Sequence, residues 1–168
     1  MRPKVSIVIP IFKAEAYIER CARSLFDQSL DYIEYIFVND CSPDNSMYLL
    51  DKVLGDYPQR KEQVHIINHS QNLGAAKARE VGIKVATGEY IIHCDSDDWV
   101  ERNMYQTMYE EVQNHNADIV ICDFYETDGI RHKHITQHID TKSDLLRGLL
   151  NTSIKGNICK QLVASYLY

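Results

Sequence analysis

Residues 89–100 read EYIIHCDSDDWV: a short apolar strand that runs straight into Asp95, Asp97 and Asp98. Two carboxylates ~4 Å apart repel by about 4 kcal/mol at an effective dielectric near 20. Such a cluster relaxes by protonating, by splaying into water, or by holding a cation. Carboxylate and carbonyl oxygens favour a hard cation, Mg²⁺ or Mn²⁺. Magnesium held by one or two carboxylates completes its shell with water and substrate phosphate, so this edge points to a phosphate-bearing substrate. A helix N-cap near Glu101 is the competing use for these residues, but one Asp suffices for a cap and three are present.

Working outward, the same alternation of short apolar runs and longer amphipathic segments recurs. KVSIVIP (4–10), YIEYIFVND (32–40), VHIIN (64–68), EYIIHCD (89–95) and ADIVICDFYE (117–126) read as five strands. Between them, residues 14–29 repeat Tyr17, Ile18, Cys21, Ala22, Leu25 and Phe26 at helical spacing. Further helices are expected at about 46–54, from Asn72 to a stop at Gly88, and over 101–116. Repeated strand–helix alternation predicts an α/β fold with a mostly parallel central sheet and helices on both faces. Ligands of such sheets bind beyond the carboxyl ends of the strands. That edge receives Pro10 from strand one, Asn39 and Asp40 from strand two, and the acidic cluster from strand four. After Glu126 the pattern weakens: 127–140 reads as a loop or irregular strand pair, and 142–151 as a short helix.

A chain of 168 residues suits one domain, and 45% hydrophobic with 25% charged residues is an ordinary globular balance. The net charge of −6 argues against general nucleic-acid binding, which needs a basic face. Five cysteines without a CxxC pair predict reduced thiols and a cytoplasmic setting. No secretory signal is read, and no apolar stretch approaches the ~20 residues of a membrane span.

VSIVIPIFKAEAYIERCARSLFDQS, IEYIFVNDCSPDNS and NLGAAKAREVGIKVATGEYIIHCDSDDWV, in this order and spacing, resemble glycosyltransferase family 2. The resemblance covers about residues 3–125 and returns more weakly at IKGNICKQLVASYLY, similar to the family's KL segment. It implies a Rossmann-like GT-A fold and an inverting, hexosyltransferase-like enzyme of polysaccharide biosynthesis that uses nucleotide-diphosphate sugars. Residues 1–126 would form the nucleotide-sugar-binding core, and 127–168 the start of the acceptor side of a longer protein, open to peripheral association with a membrane's inner face. Asp97 matches the last Asp of the DxD motif, the metal ligand; Asp95 matches the first, near the ribose and reaching the metal through water. With Ser96 between them, Asp98 matches a third acid of less fixed role. Asp40 matches an acid that accepts a hydrogen bond from the base, which favours uracil, because cytosine N3 has no proton to give. Its alternative is a plain turn residue. Pro10, Ile11 and Phe12 resemble the wall for base and ribose, and Glu15 a frequent acid of that loop. Asn72, Gly74 and Arg79 match an NxGxxxAR segment, with Gly74 allowing close approach to the nucleotide. Arg79 serves carboxylates or diphosphate, or else pairs with Glu80 or Glu89 on its helix.

Two positions depart from the family pattern: Lys13 stands where Asn is frequent, and Cys41 where Gly is. Lys13 is left between phosphate contact and solvation, and Cys41 predicts a turn without obligatory positive φ. The implied general base is an Asp or Glu beyond the KL segment, past Tyr168, so a catalytically incomplete nucleotide-sugar binder or scaffold stays open. The acceptor implied is a carbohydrate or lipid-linked hydroxyl. A nucleotidyltransferase would want a Gly- and Arg-rich loop near the start, a dehydrogenase a Gly-rich first turn, and a receiver module paired acids where Pro10 stands. His132, His134 and His138 suggest zinc by proximity, but lack a completing Cys or acid and read as a solvated or acceptor-facing segment. His93 reads as a core residue or a support for the acidic loop. Trp99 either lines the sugar site or packs under that loop.

Overall fold

Val5–Ile11 (β1) is buried at every position, as an unbroken β-branched run must be when helices cover both faces of a strand. In the computed structural model, which describes residues 2–127, 130–136 and 161–168, β1 lies inside a six-stranded sheet. On one side are Ile33–Asn39 (β2) and Val64–Asn68 (β3), and on the other Tyr90–His93 (β4), all parallel to it. Ile119–Ile121 (β5) closes the far edge, and Gln161–Ala164 (β8) lies between β4 and β5, antiparallel to both. The order is β3-β2-β1-β4-β8-β5, so the mostly parallel α/β sheet expected from the sequence is the one found.

The single strand expected over 117–126 is two strands in different sheets. After β5 the chain leaves the main sheet at Cys122 and Asp123, and Phe124–Thr127 (β6) pairs antiparallel with His132–Ile135 (β7). Apolar alternation marks both as strands but does not say which partner each takes. The helix expected over 142–151 lies outside the described residues.

The pleat divides the core. Ile7, Ile9 and Ile11 pack with Tyr35 and Phe37 against Ile18–Phe26 (α1), Ser46–Asp56 (α2) and Met104–His115 (α4). Val8, Ile36, Val38 and Ile91 face the other way, toward Ala78 of Ala75–Val85 (α3). Each fully buried Ile or Leu contributes about 1.5–3 kcal/mol relative to exposure. α1 buries the stripe Ile18, Cys21, Ala22, Leu25 and Phe26, the periodicity read from the sequence.

At the amino edge of the sheet, buried Glu34 accepts hydrogen bonds from Ser6 Oγ and from Thr87 N and Oγ1 (both 2.9 Å), while Gly88 N–H donates to Ser6 Oγ (2.8 Å). These bonds fix the entry of β4 against β1 and β2. Pairing then runs from Val5–Tyr90 to Val8–His93, ends with Cys94 N–H on Val8 C=O (3.1 Å), and delivers Asp95 at the carboxyl edge. No helix among the described residues is long and apolar enough to cross a membrane.

Candidate functional site

The carboxyl ends of β1, β2 and β4 and the start of α3 enclose a cavity of about 410 Å³. Of the residues singled out in the sequence, Pro10, Ile11, Phe12, Asp40, Asn72, Gly74, Arg79, Asp95, Ser96 and Asp97 all line it, together with Lys13, Ala14, Tyr17 and Ala75. Glu15 is not among the lining residues. Its carboxylate accepts from Asn45 Nδ2 (2.8 Å) and Asn45 N–H (3.3 Å), and its N–H donates to Asp44 (2.9 Å). It thereby fastens the loop after β1 to the start of α2.

Asp40, 2% exposed, is the most engaged acid of the site. Oδ1 accepts from His69 Nδ1 and from Leu73 N–H, each at 2.8 Å, and Oδ2 from Gly74 N–H at 2.7 Å. Burial opposes its charge, but the His69 bond and the two backbone N–H groups outweigh that and hold the carboxyl below its ordinary range. Asn72 Nδ2 adds a bond to Asp40 C=O (3.3 Å). Asp40 is thus more than a turn residue: it ties the end of β2 to the loop that opens α3. Gly74 has φ +87°, and nothing lies within 4 Å of where a Cβ would stand, so conformation rather than crowding requires glycine there.

The expected turn at Cys41 is corrected: its φ is +58°, and Lys13 has φ +53°. Both conformations are imposed by their neighbours. Asp40 N–H bonds Ile11 C=O (2.9 Å), Ser42 N–H bonds Asn39 Oδ1 (2.9 Å), and Lys13 N–H bonds Ser42 Oγ (2.8 Å). Asp44 is the hub of that loop, accepting from the Ser42 and Ser46 hydroxyls at 2.6 Å each.

Arg79 pairs with Asp95 across the cavity, not with Glu80 or Glu89. Glu80 is held by Lys77 and Lys84, and Glu89 accepts from Tyr109 Oη (3.1 Å). Arg79 Nε is buried without a partner among the described residues. Asp97 is exposed at the cavity rim and makes no hydrogen bond or ion pair among the described residues. Among those residues no group of three or more His, Cys, Asp or Glu is arranged as a metal cage. Asp95 and Asp97 instead share one cavity wall, and two carboxylates there are of the donor type that suits a hard cation completed by water and phosphate, so the residues present would fit Mg²⁺ or Mn²⁺.

Asp98 N–H bonds Asp95 C=O (3.0 Å) and turns the chain, so Asp98 and Trp99 border a separate cavity of about 180 Å³ with Phe124 and Tyr125. Arg20 lies 3.7 Å from the centre of the Trp99 ring. His93, 2% exposed, sits in the core below the acidic loop; burial, aided by Arg79, lowers its pKa to about 4 and keeps it neutral. On β7, His132 and His134 are exposed, and His134 stacks on Tyr125 with Nε2 3.3 Å from Asp123. His138 lies outside the described residues.

Sequence reasoning passed over His69. The available signal is its position: it is the first residue after β3, on the same carboxyl edge to which the other strands deliver their polar residues. Its N–H bonds Asn39 C=O (2.9 Å), extending the β2–β3 ladder and setting the ring beside Asp40.

Comparison with known proteins agrees with the fold and the motifs. The family model of glycosyl transferase family 2 matches residues 6–161. An uncharacterized glycosyltransferase of Bacillus subtilis, EpsJ, is 36% identical over 155 residues, covering 92% of this chain and 44% of its own; the chain thus spans less than half that relative's length. Among solved structures, Staphylococcus aureus TarS 1–349 in complex with UDP-GlcNAc superposes with a TM-score of 0.70 at 24% identity, over 80% of this chain and 37% of that one. The mannosyltransferase PcManGT of Pyrobaculum calidifontis, in complex with GDP-Man and Mn²⁺, gives 0.64 at 21%, over 73% and 36%. At these identities the two structures establish the shared fold.

Proposed function

The chain belongs to glycosyl transferase family 2, and from that premise we propose that its cavity binds a nucleotide-diphosphate sugar, a uridine diphosphate sugar by preference, for transfer to an acceptor hydroxyl with inversion. The observation that carries the reading is convergence. Asp40, Arg79, Asp95 and Asp97, from three separate parts of the chain, meet on one cavity at the ligand edge of the sheet.

Each lining group has a task that its chemistry suits. Pro10, Ile11 and Phe12 offer an apolar wall for base and ribose. Ionised Asp40 only accepts hydrogen bonds, so it selects a base with a ring N–H, which uracil has and cytosine lacks. The fold itself does not choose the base, since neighbours of similar shape are in complex with UDP-GlcNAc and GDP-Man. Arg79, already poised on Asp95, has donors for the diphosphate. A divalent cation held through Asp97, with Asp95 acting through water, would supply Lewis-acid stabilisation of the leaving diphosphate. The Mn²⁺ of PcManGT supports that choice of group. The acceptor class proposed is a carbohydrate or lipid-linked hydroxyl, and the compartment the cytoplasm, where the thiols of Cys21 and Cys41 would stay reduced.

Titration calorimetry of UDP-GlcNAc, UDP-Glc and GDP-Man, with Mn²⁺ or with chelator, tests this. A uridine nucleotide sugar is expected to bind with Mn²⁺, and about tenfold or more weaker with chelator or in Asp97→Asn. Absence of heat for every nucleotide sugar at saturating metal would overturn it.

A further inference from the structure

We propose that His69 is a positioning residue of the nucleotide site, which leaves one acceptor position of Asp40 open to the base; the inference rests on reading the cavity as that site. A carboxylate offers four acceptor positions, two on each oxygen. On Asp40, His69 Nδ1 and Leu73 N–H fill both positions of Oδ1, and Gly74 N–H fills one on Oδ2. One position on Oδ2 remains. Asp40 lines the cavity and His69 does not, so His69 works from behind the acid. Because an ionised carboxylate can only accept, Nδ1 carries the imidazole proton, and Nε2 has no partner among the described residues. The His69 side chain is only 9% exposed and its N–H is tied to Asn39 C=O, so burial and the β3 end hold the residue beside Asp40.

A single fixed acceptor discriminates sharply. It meets the imide N–H of uracil, whereas cytosine presents a lone pair at that atom and its nearest donor, the 4-amino group, one atom away. Without the His69 donor, only the Leu73 and Gly74 N–H groups hold the carboxylate, and it can pivot on them so that its open Oδ2 position follows the displaced amino group. Leu73 and Gly74 still bind it, so the start of α3 keeps its anchor. Loss of His69 therefore relaxes base choice as well as affinity.

The test is calorimetry of UDP and CDP with Mn²⁺ on the wild-type protein, His69→Phe and His69→Asn, with melting temperatures measured in parallel. The Phe variant keeps a ring and removes the donor; the Asn variant places an amide N–H near the position of Nδ1. His69→Phe is expected to bind UDP about tenfold more weakly and to lose about tenfold of the UDP-over-CDP preference, as for one charge-assisted hydrogen bond, and His69→Asn to restore both. His69→Leu serves the same comparison if the Phe variant does not fold. Weaker binding with an unchanged UDP-to-CDP ratio would mean a merely structural role and overturn the inference. If the wild-type protein binds neither nucleotide, the reading of the cavity falls first and takes the role of His69 with it.

Discussion

At Cys41 a side chain occupies left-handed backbone, φ +58°, where a Cβ costs roughly 1–2 kcal/mol. Lys13, which lines the cavity as Cys41 does not, does the same at +53°. These are the two positions at which the chain departs from the pattern it resembles, which favours Gly and Asn, the residues that tolerate this conformation. The departures therefore act on backbone energy and leave the lining acids alone. Cys41→Gly is expected to stabilise the protein by about 1 kcal/mol, since the relief of strain exceeds the added chain entropy of glycine. For a domain of this size that raises Tm by about 2–4 °C. Cys41→Ala separates backbone from thiol: it should melt within about 0.5 kcal/mol of the wild-type protein, as an exposed substitution does. A Gly variant no more stable than the Ala variant would show that the turn carries no such cost.

At the scale of elements, α3 shows how packing overrides local preference. Its buried residues are only Ala78 and Gly82, and a Cβ on Gly82 would fall 2.3 Å from Val8 Cγ1 and within 3.3 Å of the rest of that fully buried side chain. Helix propensity favours Ala over Gly by about 1 kcal/mol, but overpacking a filled core costs about 1–3 kcal/mol, more where the neighbour cannot turn aside. Gly82→Ala is accordingly expected to destabilise, by about 1–2 kcal/mol in urea unfolding. Gly55 of α2 has nothing within 4 Å, so Gly55→Ala should stabilise by up to about 1 kcal/mol. Opposite signs from the same substitution in two helices are the required outcome. The same contrast explains what is legible in the sequence. α1 is readable because its stripe is large and periodic; β8 is not, because the four residues QLVA acquire meaning only between two strands distant in sequence. The lining acids are readable because strand ends deliver them whatever the partners, whereas the use of His69 depends on β3 ending beside β2.

For the whole molecule, the forces that assemble the site also set its response to acid. Asp44 lies near 2 against an ordinary 3.8: burial opposes its charge, but the hydroxyls of Ser42 and Ser46 and the N–H groups of Glu15 and Ser46 prevail. Asp40 is lowered in the same direction. A depressed carboxyl contributes stability above its unfolded pKa and loses it as pH falls through the folded value, so Asp44 acts between about pH 4 and 2, and Asp40 adds to the loss below its ordinary range. His93, lowered from 6.5 to about 4 by burial and then by Arg79, acts in an earlier window. There the unfolded chain takes a proton that the folded core refuses, and stability falls from about pH 6.5 to 4, then no further. The loss across that window is on the order of 3 kcal/mol, because each tenfold change in proton affinity between the two states is worth about 1.4 kcal/mol. Acid destabilisation is therefore expected in two stages, measured by urea unfolding in chelator-containing buffer across pH 2–7. Asp44→Asn should flatten the lower stage and spare the upper one; His93→Phe, which fills the same buried space without a titrating group, should do the reverse. A wild-type profile that stays level from pH 6.5 to 4 would mean that His93 takes up its proton in the folded state as readily as in the unfolded one.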